Sequence, residues 1–379
     1  MVPSRKILLS RDNQYHENDS SASQQSMFHY LAVKLSAEMG SQGYLKVLII
    51  CLIAALLGST QAQLQLGFYA KSCPKAEQII SKYVVEHIHH VPSLAAPLLR
   101  LHFHDCFVQG CDGSVLLNST KYYKAEKDAI PNLTLRGFDF IDKIKSLVEA
   151  ECPGVVSCAD VLALTARDSV HVIGGPYWNV PTGRRDGLIS RAADALQYLP
   201  APFSNLTTLL SSFARFGLDA NDLVLLSGAH TIGMAHCSTI STRLYNYTGK
   251  GDTDPNLQSE YAKNLKTLKC KNINDQTTLI EMDPGSRNTF DLGFYKQLVK
   301  RRSLFQSDAA LLDSSITRSI IAKQLQSTEG FFVEFAKSME KMGRINVKTG
   351  TEGEIRKHCA RKCSDEVKHL SAYGQWTMP

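Results

Sequence analysis

The chain has 379 residues, of which 44% are hydrophobic and 21% charged, a composition typical of a folded protein with one large domain or two smaller ones. The formal net charge is +6 at pH 7, but the basic residues are scattered and form no long Lys/Arg block. This distribution argues against nucleic acid as a partner.

The N-terminal region has the pattern of an export signal. Residues 39–62 contain a short basic segment, an apolar run over 47–57 and small residues at the end, which are the three parts of a secretory signal peptide. The apolar run is too short to span a bilayer, so we expect an exported protein that is not membrane-spanning. Residues 1–38 are polar and are interpreted as an upstream extension, a start-site artefact if Met39 or Met27 is the working start.

Helical spacing of apolar residues dominates the first half of the chain after this signal. Apolar residues recur on one face over 79–88 and again over 141–148, and the run 155–172 predicts a buried helix. Between the first two, Ser93 is placed to cap a helix over 94–107.

The second half continues the helical pattern. Residues 206–216 are amphipathic, Gly217 follows them as expected past a helix end, and Asp219 or the Asn-Asp pair after it caps the next helix. Residues 331–342 predict a late helix, while 245–282 are poorly patterned and predicted to be loop-rich. Because strand signals are few and short, we predict a mainly α fold with little β structure.

Two polar residues stand out on the predicted helix over 94–107. Arg100 and His104 are four residues apart, which places both side chains on one face. Burying both on an apolar helix is costly unless they have a chemical task or polar partners, so a buried pair satisfied by backbone groups is the structural alternative. His102 and His104 also form an H-x-H pair of the kind found in metal hydrolases, but on a helix the two point to nearly opposite faces.

A second histidine, His230, lies in the run Leu225–Gly233. Gly228 and Ala229 precede it, and their small size allows a large planar group to approach closely. A single histidine can be the axial ligand of haem iron. A core histidine with ordinary hydrogen bonds is the alternative, and the rest of the chain must decide between them.

These runs resemble the signatures of a known family, the secretory plant peroxidases of class III. RLHFHDCFVQGCDGS over 100–114 is similar to the family's distal signature, and LLSGAHTIG over 225–233 is similar to its proximal one. Further similar segments are VSCAD, WNVPTGRRD and LPAPF, and the match extends from about Gln63 to Cys359.

The resemblance implies the fold, the activity and the cofactor. The fold would be a many-helix haem peroxidase domain over 63–363, with haem b between a distal half (about 63–200) and a proximal half (about 201–358), followed by a polar tail over 364–379. The enzyme would reduce hydrogen peroxide to water and oxidise small phenolic donors in two one-electron steps. We expect a monomer in the extracellular space or cell wall, acting in peroxide removal, oxidative stress, lignification or wall cross-linking.

The resemblance also assigns roles to residues of the distal half. His104 would act as general base and then general acid, and Arg100 would stabilise the negative charge that develops as the O–O bond breaks. Asn132 would accept a hydrogen bond from His104, although it also heads a glycosylation sequon. Phe103 would shield the haem face, and Pro200 would contact the donor.

In the proximal half, the resemblance makes His230 the axial ligand of the haem iron. Asp308 would accept a hydrogen bond from its other ring nitrogen and so strengthen the imidazole as a ligand. The local sequence alone favours a helix cap for Asp308.

The resemblance also implies two calcium sites. Calcium takes many oxygen ligands, which tight loops can provide. Asp105 and Thr231 directly follow His104 and His230, so each ion would anchor one of these histidines. The distal ligands would be Asp105, Val108, Gly110, Asp112, Ser114 and Glu126, the last through water. The proximal ligands would be Thr231, Asp283, Ser286 and Asp291, with the Thr289 carbonyl as a further candidate.

Ten cysteines are spread along the chain, which in an exported protein predicts disulfides. Cys51 lies in the signal, and no C-x-x-C pair supports a zinc site. The resemblance implies the pairs Cys73–Cys152, Cys106–Cys111, Cys158–Cys359 and Cys237–Cys270, and Cys363 lies outside this set. Two classes of alternative remain: a metal hydrolase that uses His102 and His104, and a haem protein that binds without turnover.

Overall fold

The computed structural model describes residues 64–365. The predicted extension over 1–38, the predicted signal over 39–62 and the tail beyond residue 365 lie outside the described residues. Within the described range, no helix is both long enough and apolar enough to cross a membrane.

Helices dominate residues 64–365, which confirms the prediction of a mainly α fold with little β structure. The α-helices are α1 (Ala76–His90), α2 (Ala95–Cys106), α3 (Phe138–Glu151), α4 (Cys158–Val172), α5 (Ala192–Tyr198), α6 (Leu206–Ala214), α7 (Ala220–Ser227), α8 (Cys237–Tyr245), α9 (Ser259–Asn264), α10 (Gly293–Val299), α11 (Gln306–Ala310), α12 (Ser315–Gln324) and α13 (Thr328–Met342). Short 3₁₀ turns cover Pro92–Leu94, Ser114–Leu116, Glu126–Asp128, Ile130–Asn132 and Gly228–Thr231.

The β structure in this range is one antiparallel pair of three-residue strands. β1 (Met234–His236) pairs with β2 (Leu279–Glu281), and Ala235 lies opposite Ile280. The prediction of a loop-rich segment over 245–282 is wrong in part, because the segment also contains α9, a π-helical turn and β2. These elements have three to six residues each, which is too short for an apolar period to be visible in the sequence.

Helix α4 is central to the packing of the first four helices. It is buried along most of its length and packs against α1, α2 and α3. Ser157 caps it, since its Oγ accepts the backbone N–H of Asp160 at 3.1 Å. The predicted start at Val155 is therefore too early, because the chain enters the helix only after this cap.

The other predicted helix ends are right in some places and wrong in others. Asp219 caps α7 in a reciprocal capping box with Asp222, as predicted. Gly217 has φ of +72°, a conformation that favours glycine, although α6 already ends at Ala214. The predicted cap at Ser93 is wrong, because Ser93 lies inside the 3₁₀ turn that precedes α2 and makes no capping hydrogen bond.

Two buried ion pairs hold distant segments against the N-terminus of α4. Arg184 Nη1 donates to Asp160 Oδ1 at 2.7 Å, and its guanidinium also donates to the Gly343 carbonyl just after α13. Asp186 accepts the first two N–H groups of α4 and lies 3.7 Å from Arg356. Carboxylates at a helix N-terminus satisfy otherwise unpaired N–H groups and complement the helix dipole.

Four disulfides link the described chain, three of them between distant segments. Cys106–Cys111 closes the loop after α2, and Cys158–Cys359 joins the start of α4 to a segment near the end of the described residues. Cys73–Cys152 and Cys237–Cys270 complete the set, which is the same set of pairs that the family resemblance implies.

Candidate active site

Helix α2 brings Arg100 and His104 together on one face, as their spacing predicts. Arg100 Nε donates to His104 Nε2 at 3.2 Å. On its other faces the helix is anchored in the core by Leu98 and Leu101, both fully buried. The core therefore fixes the orientation of the face that carries the two polar side chains.

A series of hydrogen bonds holds His104 from its other nitrogen. Asn132 Nδ2 donates to the Glu126 carbonyl at 2.8 Å, which places Asn132 Oδ1 at 2.6 Å from His104 Nδ1. An amide oxygen only accepts, so His104 Nδ1 must carry the ring proton. Nε2 of His104 therefore keeps its lone pair, and this is the nitrogen that lies beside Arg100.

Burial and charge both keep His104 neutral. Desolvation, followed by the nearby cation of Arg100, lowers the pKa of His104 to about 3, and the hydrogen bond to Asn132 opposes part of this shift. A neutral imidazole whose Nε2 carries no proton is able to act as a general base at neutral pH.

Arg100 is fixed by contacts that sequence reasoning did not identify. Its Nη1 donates to Thr134 Oγ1 at 2.9 Å and its Nη2 donates to the Pro131 carbonyl at 2.8 Å. Burial lowers the pKa of Arg100 to about 10, which leaves it charged at neutral pH. In the sequence, Thr134 stands out only as part of the Asn132 sequon. Asn132 is 1% exposed, and its Nδ2, the atom that would carry an N-linked glycan, donates to the Glu126 carbonyl, so a glycan there would disturb the contact that positions Asn132 for His104.

Phe103 lies next to the pair and is partly buried. Its ring stacks on Phe107 at 4.2 Å and meets His104 edge-on at 5.9 Å between ring centroids. Phe107 in turn packs against Phe213 and Phe216, with centroid distances of 4.9 and 5.2 Å. This aromatic group joins the end of α2 to the region of α6 and limits the freedom of Phe103.

Pro200 follows α5 and is partly buried. The preceding Leu199 packs in a small apolar cluster with Val108 and Ala129. Pro200 is therefore next to the segment that leads to Asn132.

His230 lies in the 3₁₀ turn after α7, and its Nδ1 is 2.8 Å from Asp308 Oδ1. Phe294 and Phe305 contact its ring edge-on at 5.9 and 5.3 Å. The carboxylate only accepts, so Nδ1 of His230 carries the proton and Nε2 has the free lone pair. Asp308 makes no capping hydrogen bond at the start of α11, so the helix-cap alternative for this residue is wrong.

The structure separates His102 from His104. His102 lies in the core beside Trp178 and Arg184, and burial, followed by the charge of Arg184, lowers the pKa of His102 to about 3. Among residues 64–365, the donor atoms that lie near His102 belong to Asp105 and Cys106. Cys106 is in a disulfide and Asp105 accepts a backbone N–H at 2.9 Å, so the H-x-H pair does not form a hydrolase metal site.

The side chains predicted to bind distal calcium are buried together after α2. Burial, followed by the carboxylate of Asp112, raises the pKa of Asp105, and burial, followed by Asp105, raises the pKa of Glu126. Both carboxylate oxygens of Glu126 and the hydroxyl of Ser114 are buried without a hydrogen-bond partner. Buried acidic oxygens that repel one another and lack donors fit a hard divalent cation such as calcium.

The two predicted backbone ligands lie on the same loop. Val108 is buried, and Gly110 has φ of +111° at a point where an added Cβ would lie 2.6 Å from Asn346. Glycine is therefore required at position 110, and the Cys106–Cys111 disulfide closes the loop around it.

The side chains predicted to bind proximal calcium lie close to Thr231, the residue after His230. Thr231 Oγ1 donates to Asp291 Oδ1 at 2.9 Å, and Ser286 Oγ donates to Asp291 Oδ2 at 3.4 Å. Asp283 lies against the same point, because a Cβ added at Gly293 would be 1.6 Å from Asp283 Oδ2 and 2.9 Å from Asp291 Oδ1. The four predicted side-chain ligands thus converge, and this donor set also fits calcium.

Comparison with known proteins agrees with this geometry. A family model described as peroxidase matches residues 80–327. The chain is 61% identical to Peroxidase 3 of Arabidopsis thaliana over 309 residues, which is 81% of this chain and 94% of that protein. It is 58% identical to Peroxidase 39 of Arabidopsis thaliana, over 83% of this chain and 98% of that protein. It is 52% identical to Peroxidase 1 of Oryza sativa subsp. japonica, over 83% of this chain and 97% of that protein.

The match covers most of the chain and includes both segments that hold His104 and His230. The chain belongs to the secretory plant peroxidases and is a haem-dependent enzyme that reduces hydrogen peroxide.

Proposed function

We propose that Arg100 and His104 bind and cleave hydrogen peroxide, and that His230 holds the iron of haem b through Nε2. The proposal depends on the series of hydrogen bonds that runs from the Glu126 carbonyl through Asn132 to His104 Nδ1. Because of these bonds, Nε2 of His104 is the nitrogen that can accept a proton, and it lies beside the cation of Arg100. On the proximal side, Nε2 of His230 makes no hydrogen bond among residues 64–365, and its side chain is 39% exposed, so it fits the axial ligand.

Haem, when bound, would supply the iron and the redox capacity for the two electrons that cleavage of peroxide requires. The protein supplies the proton transfer. His104 Nε2 accepts a proton from one peroxide oxygen and returns it to the other, which leaves as water. The other ring proton stays on His104 Nδ1, which donates to Asn132 Oδ1, so that Nε2 alone performs both transfers.

Arg100 stabilises the negative charge that develops on the leaving oxygen. Its contacts to Thr134 and the Pro131 carbonyl hold the guanidinium in place before the reaction, so little reorganisation is needed. Asp308 holds His230 in the tautomer that can ligate and increases its basicity.

The reducing donors proposed are small phenols, and two of them are used for each peroxide. Each phenol gives up one electron in one of two successive steps and leaves as a phenoxyl radical. Pro200 and the exposed Phe203, which is 71% exposed, lie on one loop and offer an apolar contact for an aromatic ring. Phe103 packs over the distal pair and keeps donors away from it. We further propose the extracellular space or cell wall as the location.

We also propose that two calcium ions bind, one at Asp105, Val108, Gly110, Asp112, Ser114 and Glu126, and one at Thr231, Asp283, Ser286 and Asp291. The buried, unpartnered oxygens of Glu126 and Ser114 support the distal ion. Because Asp105 and Thr231 each follow a histidine of the site, bound calcium would restrict the backbone of both.

The test is the variant H104A, assayed for peroxide-dependent guaiacol oxidation after haem content has been matched by absorption. We expect kcat/KM for hydrogen peroxide to fall about 10²- to 10⁴-fold, the usual contribution of a general acid–base group. The exposed His90 at the end of α1 provides the control H90A, which should keep wild-type activity. Wild-type activity in H104A would contradict the proposal, and haem binding with no activity in the wild type would favour a binding protein.

A further inference from the structure

Lys348 places a positive charge against the distal oxygen cluster. It lies in the segment after α13, and its Nζ is 2.8 Å from Asp112 Oδ2. The Asp112 carboxylate is 1% exposed, whereas the Lys348 side chain is 30% exposed. Oδ2 makes no aligned hydrogen bond, so the contact is an ion pair.

The packing of the chain holds this ion pair in place. The Lys348 carbonyl accepts the backbone N–H of Arg185 at 2.8 Å. A Cβ added at Gly353 would lie 3.3 Å from Lys348 Cδ, and one added at Gly187 would lie 2.2 Å from Asp112 Oδ2. Because glycine has no side chain, these two positions leave room for the Lys348 stem to reach the Asp112 carboxylate.

The charges of this region are unbalanced without a further cation. Asp105, Asp112 and Glu126 are buried acids, and Lys348 is the cation that pairs with one of them. Arg356 is also buried nearby, but its charge is matched by Asp186. When all three acids are ionised, the pairing with Lys348 leaves this cluster with a net charge of −2. One divalent cation would neutralise that charge.

We propose that Lys348 acts as a built-in counter-cation that weakens calcium binding at the distal site and stabilises the carboxylate cluster when calcium leaves. This inference rests on the distal calcium site proposed above. Lys348 and a bound calcium ion share the Asp112 carboxylate, so the two cations repel each other. Even at the dielectric constant of water, the repulsion between charges of +1 and +2 that lie several ångströms apart lowers the affinity for calcium by about tenfold.

The experiment uses the haem-loaded enzyme, freed of calcium with a chelator and then titrated with calcium in competition with an indicator. Lys341 forms a similar ion pair with the buried Asp222 and provides the matched control K341M. We expect K348M to tighten one of the two calcium-binding steps about tenfold and to leave the other unchanged. K348R and K341M should both bind calcium as the wild type does.

A second readout is the melting temperature of the chelated enzyme. Without Lys348 the cluster has no counter-charge, so chelation should lower the Tm of K348M by about 2–4 °C more than it lowers the Tm of the wild type. An unchanged or weaker calcium affinity in K348M, with the wild type still binding two ions, would overturn the role of Lys348 alone. A wild-type enzyme that binds no calcium would overturn both this role and the proposed sites.

Discussion

Both histidines of the site are held through Nδ1, but the two partners differ in charge. His104 faces the neutral amide of Asn132 at 2.6 Å, whereas His230 faces the carboxylate of Asp308 at 2.8 Å. In both cases the atom that faces Nδ1 is an oxygen that only accepts, so Nδ1 carries the ring proton and Nε2 keeps a lone pair. In the proposed function, the same hydrogen-bond geometry would therefore prepare one ring to exchange a proton and the other to bind iron.

The difference in partner matches the difference in task. A neutral amide leaves His104 free to gain and lose a proton at Nε2, and Arg100 beside it opposes a lasting positive charge. A carboxylate strengthens His230 as a donor to a metal, which suits a ligand that stays bound. In the proposed function, the two histidines therefore differ in role because their Nδ1 partners differ in charge. A neutral partner suits proton exchange at His104, and a charged partner suits metal binding at His230.

After the loss of His104 itself, the largest effect is expected from removing the distal cation. R100L should lower kcat/KM for hydrogen peroxide about 10²- to 10³-fold, because the charge on the leaving oxygen loses its main stabiliser. Its KM for guaiacol should change little. The exposed Arg361 provides the control R361L, and a loss of similar size there would mean that net charge, and not position, causes the effect.

A smaller effect is expected when the proximal partner loses its charge. D308N keeps the shape of the side chain but presents His230 with a neutral amide, as Asn132 does for His104. We expect kcat/KM for hydrogen peroxide to fall about 10- to 100-fold with haem still bound, as measured by absorption and steady-state assay. Equal activity in D308N and the wild type would show that the comparison of the two partners has no functional meaning.

Part of this arrangement is predictable from sequence. The spacing of Arg100 and His104 predicts their shared face, and the family resemblance supplies Asn132 and Asp308 as partners. The sequence does not predict the contact of Thr134 with Arg100, because a threonine hydroxyl has no pattern of its own. The start of α2 is also missed, since the 3₁₀ turn at Pro92 replaces the cap expected from Ser93.

The ion pair of Lys348 with Asp112 is the clearest example of what sequence cannot supply. A single lysine among 42 basic residues carries no local signal, and only the path of the chain after α13 brings it to the loop for which we propose distal calcium binding. Long-range pairs of this kind depend on tertiary packing, whereas helical faces depend on the local period of apolar residues.

The central claim is that Asn132 acts through His104 by fixing its ring proton. The most direct measurement is a double-mutant cycle on kcat/KM for hydrogen peroxide with N132L, H104A and the double variant. We expect N132L alone to lose about 10-fold, and the double variant to be as slow as H104A, because Asn132 has no effect once its target is gone. Losses that multiply in the double variant would contradict the claim, since Asn132 would then act independently of His104.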